Sequence, residues 1–183
     1  SFYDNTIAWY ENDGAANPTW TASDIALSAD GAECVFAADM DGDGDMDIVS
    51  AFNFDETISW YENNNGDASS WTKRNIHSTD SAYPLWVADM DGDGDLDIIT
   101  GHYAYTGIWW YKNNGASDPS WTRKGVFSYH NPVESVKSVF AADIDGDGHM
   151  DIAAVSSEYN YSYDKVAWYK NETYNGSNSS GTY

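Results

Sequence analysis

The strongest constraint on this chain is an internal repeat with a period near 50 residues. The pair Trp-Tyr stands at Trp9-Tyr10, Trp60-Tyr61, Trp110-Tyr111 and Trp168-Tyr169, at steps of 51, 50 and 58. The pair Trp-Thr stands at Trp20-Thr21, Trp71-Thr72 and Trp121-Thr122, at steps of 51 and 50. Acidic runs begin at Asp39, Asp89 and Asp143, at steps of 50 and 54. Three markers with one period and one order describe a single supersecondary unit. Such a unit buries its apolar faces by stacking on copies of itself.

Each unit reads as four short strands. One follows Trp-Thr, as in Trp71 to Ile76. A second, apolar, enters the acidic run, as in Ser138 to Ala142. A third leaves that run, as in Asp97 to Gly101. The fourth alternates through Thr57 to Glu62, with Ile58 and Trp60 on one face and Ser59 and Tyr61 on the other. Asn-Gly and Asn-rich stretches such as Asn63-Asn64-Asn65-Gly66 separate the units as turns. No window carries an apolar stripe at helical spacing. The fold class expected is therefore all-β, with four-stranded antiparallel blades of the β-propeller type.

The expected organisation is a leading fourth strand and linker over 1–19, then repeats over 20–70, 71–120 and 121–171. A flexible Asn-, Ser- and Gly-rich tail follows over 172–183. Three full repeats and a leading strand fall short of the four blades a closed propeller usually needs. Three arrangements remain open: further blades upstream, subunits completing a ring, or units continuing from chain to chain as a filament. The chain opens at Ser1 with no basic-then-apolar leader, as a mature, trimmed or partial chain does.

Thirty acidic residues against eight Lys and Arg give a formal charge of −22. Nucleic acid and anionic membrane surfaces would repel such a chain. No stretch approaches the ~18 apolar residues of a membrane span. The acidity is not that of a disordered chain, because 9 Trp, 14 Tyr and 6 Phe supply large apolar rings. Cys34 is the single cysteine, so no disulfide forms within the chain. It sits on an apolar strand and reads as a small hydrophobe.

The acidic runs carry the specific chemistry. They read Asp39-Met40-Asp41-Gly42-Asp43-Gly44-Asp45-Met46-Asp47, then Asp89 to Asp97, then Asp143 to Asp151. Positions one, three, five and nine are Asp in each: Asp39, Asp41, Asp43 and Asp47; Asp89, Asp91, Asp93 and Asp97; Asp143, Asp145, Asp147 and Asp151. Hard oxygen donors at this density suit Ca2+, one ion per loop and three in all, better than the stricter octahedron of Mg2+. Position seven, at Asp45, Asp95 and His149, is expected to offer its backbone carbonyl, as in the front of an EF-hand loop. Position eight, at Met46, Leu96 and Met150, is expected to be an apolar anchor. The competing reading is an acidic, solvated loop without an ion. Three calcium ions would bring the formal charge from −22 to −16.

The run Asp-x-Asp-Gly-Asp-Gly-x-x-Asp, flanked by Val-Phe-Ala-Ala and Asp-Ile-Val strands and followed by Trp-Tyr-Glu-Asn, resembles the FG-GAP/VCBS repeat family. The resemblance extends to about Asn171. It implies β-propeller blades like those of integrin α-subunits, one calcium per loop and an extracellular setting. It implies no single activity, since members serve as adhesion modules, lectins and parts of carbohydrate-active enzymes.

Weaker signals remain. Sequons begin at Asn160, Asn171, Asn175 and Asn178. Tyr103, Tyr105, Tyr159, Tyr161 and Tyr163 lie outside the repeat pattern and are candidate glycan contacts, or filler on a sheet rim. A lyase-like His and Tyr pair using His102 or His130 rests on residue type alone. The reading that joins these features is a secreted, non-catalytic, calcium-binding structural or adhesive glycoprotein. It associates with itself through open blade edges, as a ring or fibril. The alternatives are a lectin-type module and a fragment of a carbohydrate-active enzyme.

Overall fold

The computed structural model describes residues 5–78, 82–102, 107–126, 135–157 and 165–172. These residues form thirteen β-strands and no helix, so no helix is long and apolar enough to cross a membrane. In chain order the strands are β1 (Ile7–Asn12), β2 (Trp20–Ala26), β3 (Ala32–Ala38), β4 (Asp47–Phe52), β5 (Thr57–Asn63), β6 (Trp71–Ser78) and β7 (Ala82–Ala88). They continue as β8 (Asp97–His102), β9 (Ile108–Asn113), β10 (Trp121–Val126), β11 (Val136–Ala142), β12 (Asp151–Ser156) and β13 (Lys165–Tyr169). All pairings are antiparallel.

The strands form four sheets. The first holds β1 and β2, the second β3 to β6, the third β7 to β10, and the fourth β11 to β13. The innermost strands β3, β7 and β11 are neighbours across the sheets, as blades around an axis require. The array is open: among the described residues the first sheet holds only counterparts of the third and fourth strands of a complete sheet, and the fourth only counterparts of the first three.

Sheets and sequence units are out of phase by one strand. The sequence reading opens a unit at each Trp-Thr pair; the structure ends a sheet there. β6 pairs with β5 from Thr57↔Ser78 to Asn63↔Trp71, and β10 pairs with β9 from Ile108↔Val126 to Asn113↔Trp121. The cause is local. A short Asn-Gly connection folds the Trp-Thr strand straight back on the Trp-Tyr strand as a hairpin. The sheet boundary therefore falls after Ser78, not between Ser70 and Trp71. By the same rule the leading strand β1 pairs with β2.

Each sheet has two apolar faces, and the alternation on the Trp-Tyr strand sorts side chains between them. Ile58 and Trp60 pack with Leu85, Val87, Ile98 and Tyr111 of the third sheet. Ile108, with Trp110 against it, packs with Val136, Val139, Ile152 and Ala154 of the fourth. Tyr61 faces the other way, with Ile7, Ala29 and Phe52. Trp60 is 1% exposed, and truncating such a ring costs about 3–5 kcal/mol. Across the inner strands Phe36 meets Trp86 edge-on at 5.1 Å, and Trp86 meets Phe140 at 4.6 Å. Cys34 packs at the core between the second and third sheets, its Sγ 3.9 Å from the Leu85 carbonyl. Gly101 is needed for close approach, because a Cβ there would run into Val136 of the next sheet.

The two ends of the array expose the faces that are buried between sheets. Val166 and Trp168 of β13 are 83% and 51% exposed, although Ile58 and Trp60 at matching places are buried. Phe140, Ile144 and Val155 add to that end face. At the other end Tyr10 and Val35 are exposed, where Tyr61 and Leu85 are covered.

Basic residues of the fourth strand of each complete sheet lie over rings of the third strand and, in one case, of the second. Arg74 covers Trp60, Lys73 covers Phe52 and Tyr61, Arg123 covers Trp109, and Lys124 covers Trp110. Four of the eight basic residues are thereby spent on cation–π contacts.

Candidate metal centre

The three acidic runs are the turns that join the first two strands of the second, third and fourth sheets. Each wraps around its first aspartate. Asp39 Oδ1 accepts from the Gly42 N–H at 2.8 Å and Oδ2 from the Gly44 N–H at 2.9 Å. Asp89 takes the same bonds from Gly92 and Gly94, and Asp143 from Gly146 and Gly148. Both glycines of each turn have positive φ, between 76° and 95°, where a Cβ would be strained.

The ninth residue locks the turn to the sheet. Asp47, Asp97 and Asp151 are buried. Asp47 Oδ2 accepts from the Met40 N–H at 3.1 Å, and Oδ1 from the Asn63 N–H at 2.8 Å. Asp97 binds Met90 and Asn113 likewise, and Asp151 binds Ile144 and Asn171. The Trp60 and Trp110 indole N–H groups approach Asp47 and Asp97 and favour their charged forms, short of full hydrogen-bond geometry. Burial outweighs these bonds, so Asp47 is raised and Asp97 is pushed up to about 6. Asp41 also rises to about 6, first through burial and then through repulsion from Asp43, Asp47 and Glu62.

Carboxylates converge in every turn. Asp39, Asp41 and Asp43 each offer an oxygen within 4.8 Å of the others, as do Asp89, Asp91 and Asp97, and Asp143, Asp145 and Asp151. At that separation, unit charges repel by about 3 kcal/mol per pair at an effective dielectric of about 20. An oxygen that accepts one N–H keeps a second lone pair, so these carboxylates retain donors for an ion. An all-oxygen donor set of this charge fits a hard divalent cation.

The expected site residues divide as follows. Positions one and three meet in all three turns; position five joins them in the first, and position nine in the other two. Asp93 and Asp147 stand instead in ion pairs with lysine. Asp45 and Asp95, at position seven, pack their carboxylates against the backbones of Gly66 and Gly115, where a Cβ would clash. The expected anchor at position eight holds for Leu96, which is half-buried against the core between the second and third sheets, and is corrected for the two methionines. Met46 is 63% exposed and Met150 is also open, whereas Met40 and Met90 at position two are buried. The alternation of the inner strand carries through the first residues of the turn and puts position two against the next sheet.

Sequence reading missed two features. The first is the asparagine two residues beyond each Trp-Tyr pair. Asn113 Nδ2 donates to Leu96 O in its own turn at 3.1 Å and to Met40 O in the preceding turn at 2.9 Å. Asn171 does the same with Met150 O and Met90 O. Asn171 is thus a bridge between sheets as well as a sequon. The second is lysine. Lys112 Nζ bonds Asp91 and Asp93, and Lys170 Nζ bonds Asp145 and Asp147. The signal for both was the shared place after Trp-Tyr.

Of the remaining candidates, His102 is buried in β8 with its Nε2 3.4 Å from Thr100 Oγ1. Asn160, Asn175, Asn178, His130 and tyrosines 103, 105, 159, 161 and 163 lie outside the described residues.

No curated protein matches the chain. Among solved structures, an Agrocybe aegerita lectin, described for its specific recognition of non-reducing terminal N-acetylglucosamine, shares the fold. The TM-score is 0.57 at 21% identity, over 84% of this chain and 41% of that one. The chain thus spans less than half of that lectin. The FG-GAP-like repeat matches in three overlapping stretches, 1–50, 39–100 and 92–154. With turns, sheets and period in agreement with that match, the chain belongs to the family of FG-GAP-like repeats.

Proposed function

We propose that this chain is a calcium-stabilised, non-catalytic β-propeller module of an extracellular protein. The observation that carries the reading is the meeting of three carboxylates in each of three equivalent turns. Asp39, Asp41 and Asp43, then Asp89, Asp91 and Asp97, then Asp143, Asp145 and Asp151 would hold one Ca2+ each. The ion would neutralise the turn and rigidify the point where one sheet is bridged to the next through Asn113 and Asn171. Extracellular calcium modules work at dissociation constants of about 10⁻⁴–10⁻³ M, which matches the secreted setting proposed. Equilibrium dialysis of the full chain against calcium tests this. One ion per turn supports the reading, and no bound ion refutes it.

The module would act as a building block that adds to a further blade or a second copy. The support is the apolar end face of Phe140, Ile144, Val155, Val166 and Trp168, and the single hydrogen-bonded partner strand of β1 and of β13 among the described residues.

A second reading is lectin-type carbohydrate binding, favoured by the lectin that shares the fold. Binding of N-acetylglucosamine-terminated glycans, lost in Tyr103→Ala or Tyr161→Ala, would support it. A glycan array without any bound ligand would count against it.

A further inference from the structure

The three acidic turns are alike in their aspartates but not in the residue that overlooks them. Glu62, Lys112 and Lys170 occupy one structural position. Each precedes the asparagine, Asn63, Asn113 or Asn171, whose backbone N–H donates at 2.8 Å to the ninth aspartate of its turn. That bond fixes the backbone of the preceding residue at the same place beside each turn. A side chain leaving there can reach positions three and five.

In two turns it does. The ammonium of Lys112 bonds Asp91 and, at 2.8 Å, Asp93. That of Lys170 bonds Asp145 and, at 3.0 Å, Asp147. Asp91 and Asp145 belong to the converging triplets, so the lysine holds carboxylates that a metal ion would use. In the remaining turn the side chain is anionic, close enough to Asp41 to repel it, and engaged by an arginine instead of bonding the turn. Glu62 pairs with Arg74 at 2.7 Å, and Arg74 is held in turn by Asp118 and the face of Trp60. Among the described residues, Asp39, Asp41 and Asp43 have no ion pair.

A lysine ammonium is a point charge of one unit with three donors. It can relieve part of the repulsion within a turn, but it cannot supply the two charges and six to eight oxygen contacts of calcium. It must leave the carboxylates before the ion takes them. From this contrast we propose that Lys112 and Lys170 are built-in counter-cations that compete with calcium for their turns, which makes the turn beside Glu62 the tight calcium site and the other two weaker. The inference rests on the calcium reading above and adds an order of affinity to it. It also assigns a purpose to two of the few basic residues of a strongly acidic chain: they stabilise the turns when calcium is scarce.

Calorimetric titration of the full chain with calcium tests the order, using wild type, Lys112→Gln, Lys170→Gln and Glu62→Lys. Wild type is expected to show one tight site and two weaker ones. Each Lys→Gln change should tighten one weak site about tenfold, the size expected when two partly exposed ion pairs no longer compete. Glu62→Lys should weaken the tight site by a similar factor. Thermal melts give a second readout with the opposite sign: in chelator, Lys112→Gln and Lys170→Gln should melt below wild type, and in excess calcium they should not. Three equal sites in wild type, or calcium affinity indifferent to the lysines, would overturn this inference and leave the calcium reading intact. No calcium heat in any of the four proteins would overturn both.

Discussion

The side-chain amide of Asn113 donates to the backbone carbonyl of Met40, 2.9 Å away in space and 73 residues earlier in the chain. The same amide holds Leu96 O at 3.1 Å. One buried side chain therefore ties the turn of its own sheet to the turn of the sheet before. Met40 answers from the other side by burying its side chain in the core between those sheets. The acidic turns are thus not ornaments on separate blades; they are where consecutive blades are joined.

Replacing Asn113 by Ala should destabilise the fold by about 2–3 kcal/mol, because two buried carbonyls lose their donor. Asn63→Ala should cost less, about 1 kcal/mol, since Asn63 Nδ2 meets only Met46 O, at 3.3 Å. Urea unfolding of the two variants checks the difference. Equal losses would mean that the bridge between sheets contributes nothing.

Gly115→Ala should cost about 1–3 kcal/mol. Gly115 has a φ of +66°, and a Cβ there would collide with the Asp95 carboxylate. Asp95→Ala in the same chain should recover part of the loss by removing the collision, leaving only the strain of the left-handed backbone. A double-mutant cycle on melting temperature reads the coupling.

The raised carboxyls set a pH dependence. Asp41 and Asp97 stand at about 6 in the fold against 3.8 when free, chiefly through burial. Each favours folding in its protonated form. Their contribution is fully present below the free value and is lost as pH rises through about 6. Asp93 and Asp147 are lowered, first by their lysine hydrogen bonds, so their effect falls below the free value and does not overlap. Calcium-depleted protein should therefore lose stability between pH 4 and pH 6. Calcium binds the ionised carboxylates, so its affinity should rise over the same interval. Melting curves at a series of pH values measure the first effect; a flat profile would contradict it.

Much of this was legible in the sequence. The step between Trp60 and Trp110 announces a stacked repeat, and the alternation of Ile58 and Trp60 against Tyr61 assigns the two faces. What was not legible was relational. A period does not say where a unit begins, so a unit opened at Trp71 is out of phase with the sheet, in which Trp71 pairs with Asn63. Met40 and Met46 both flank the aspartates, and only the neighbouring sheet decides which is buried. Asn113 looks like a turn former, because its partner lies a whole blade away.

The end face makes a claim about association. Trp168 and Val166 lie open where Trp60 and Ile58 are covered by the next sheet. If that face binds a second copy, Val166→Ser with Trp168→Ser should weaken self-association at least about tenfold, given about 1.5–3 kcal/mol for each fully buried apolar side chain. Sedimentation velocity over a concentration series reads this. A wild type that stays monomeric at high concentration would contradict the proposed association.

The most direct test of the central claim is the thermal melt of the full chain in excess calcium and in chelator, beside Asp41→Asn. The account predicts a higher melting temperature with calcium, and a smaller calcium-induced rise in Asp41→Asn because one of three turns loses a carboxylate from its triplet. Identical melting of the wild type with calcium and with chelator would contradict it.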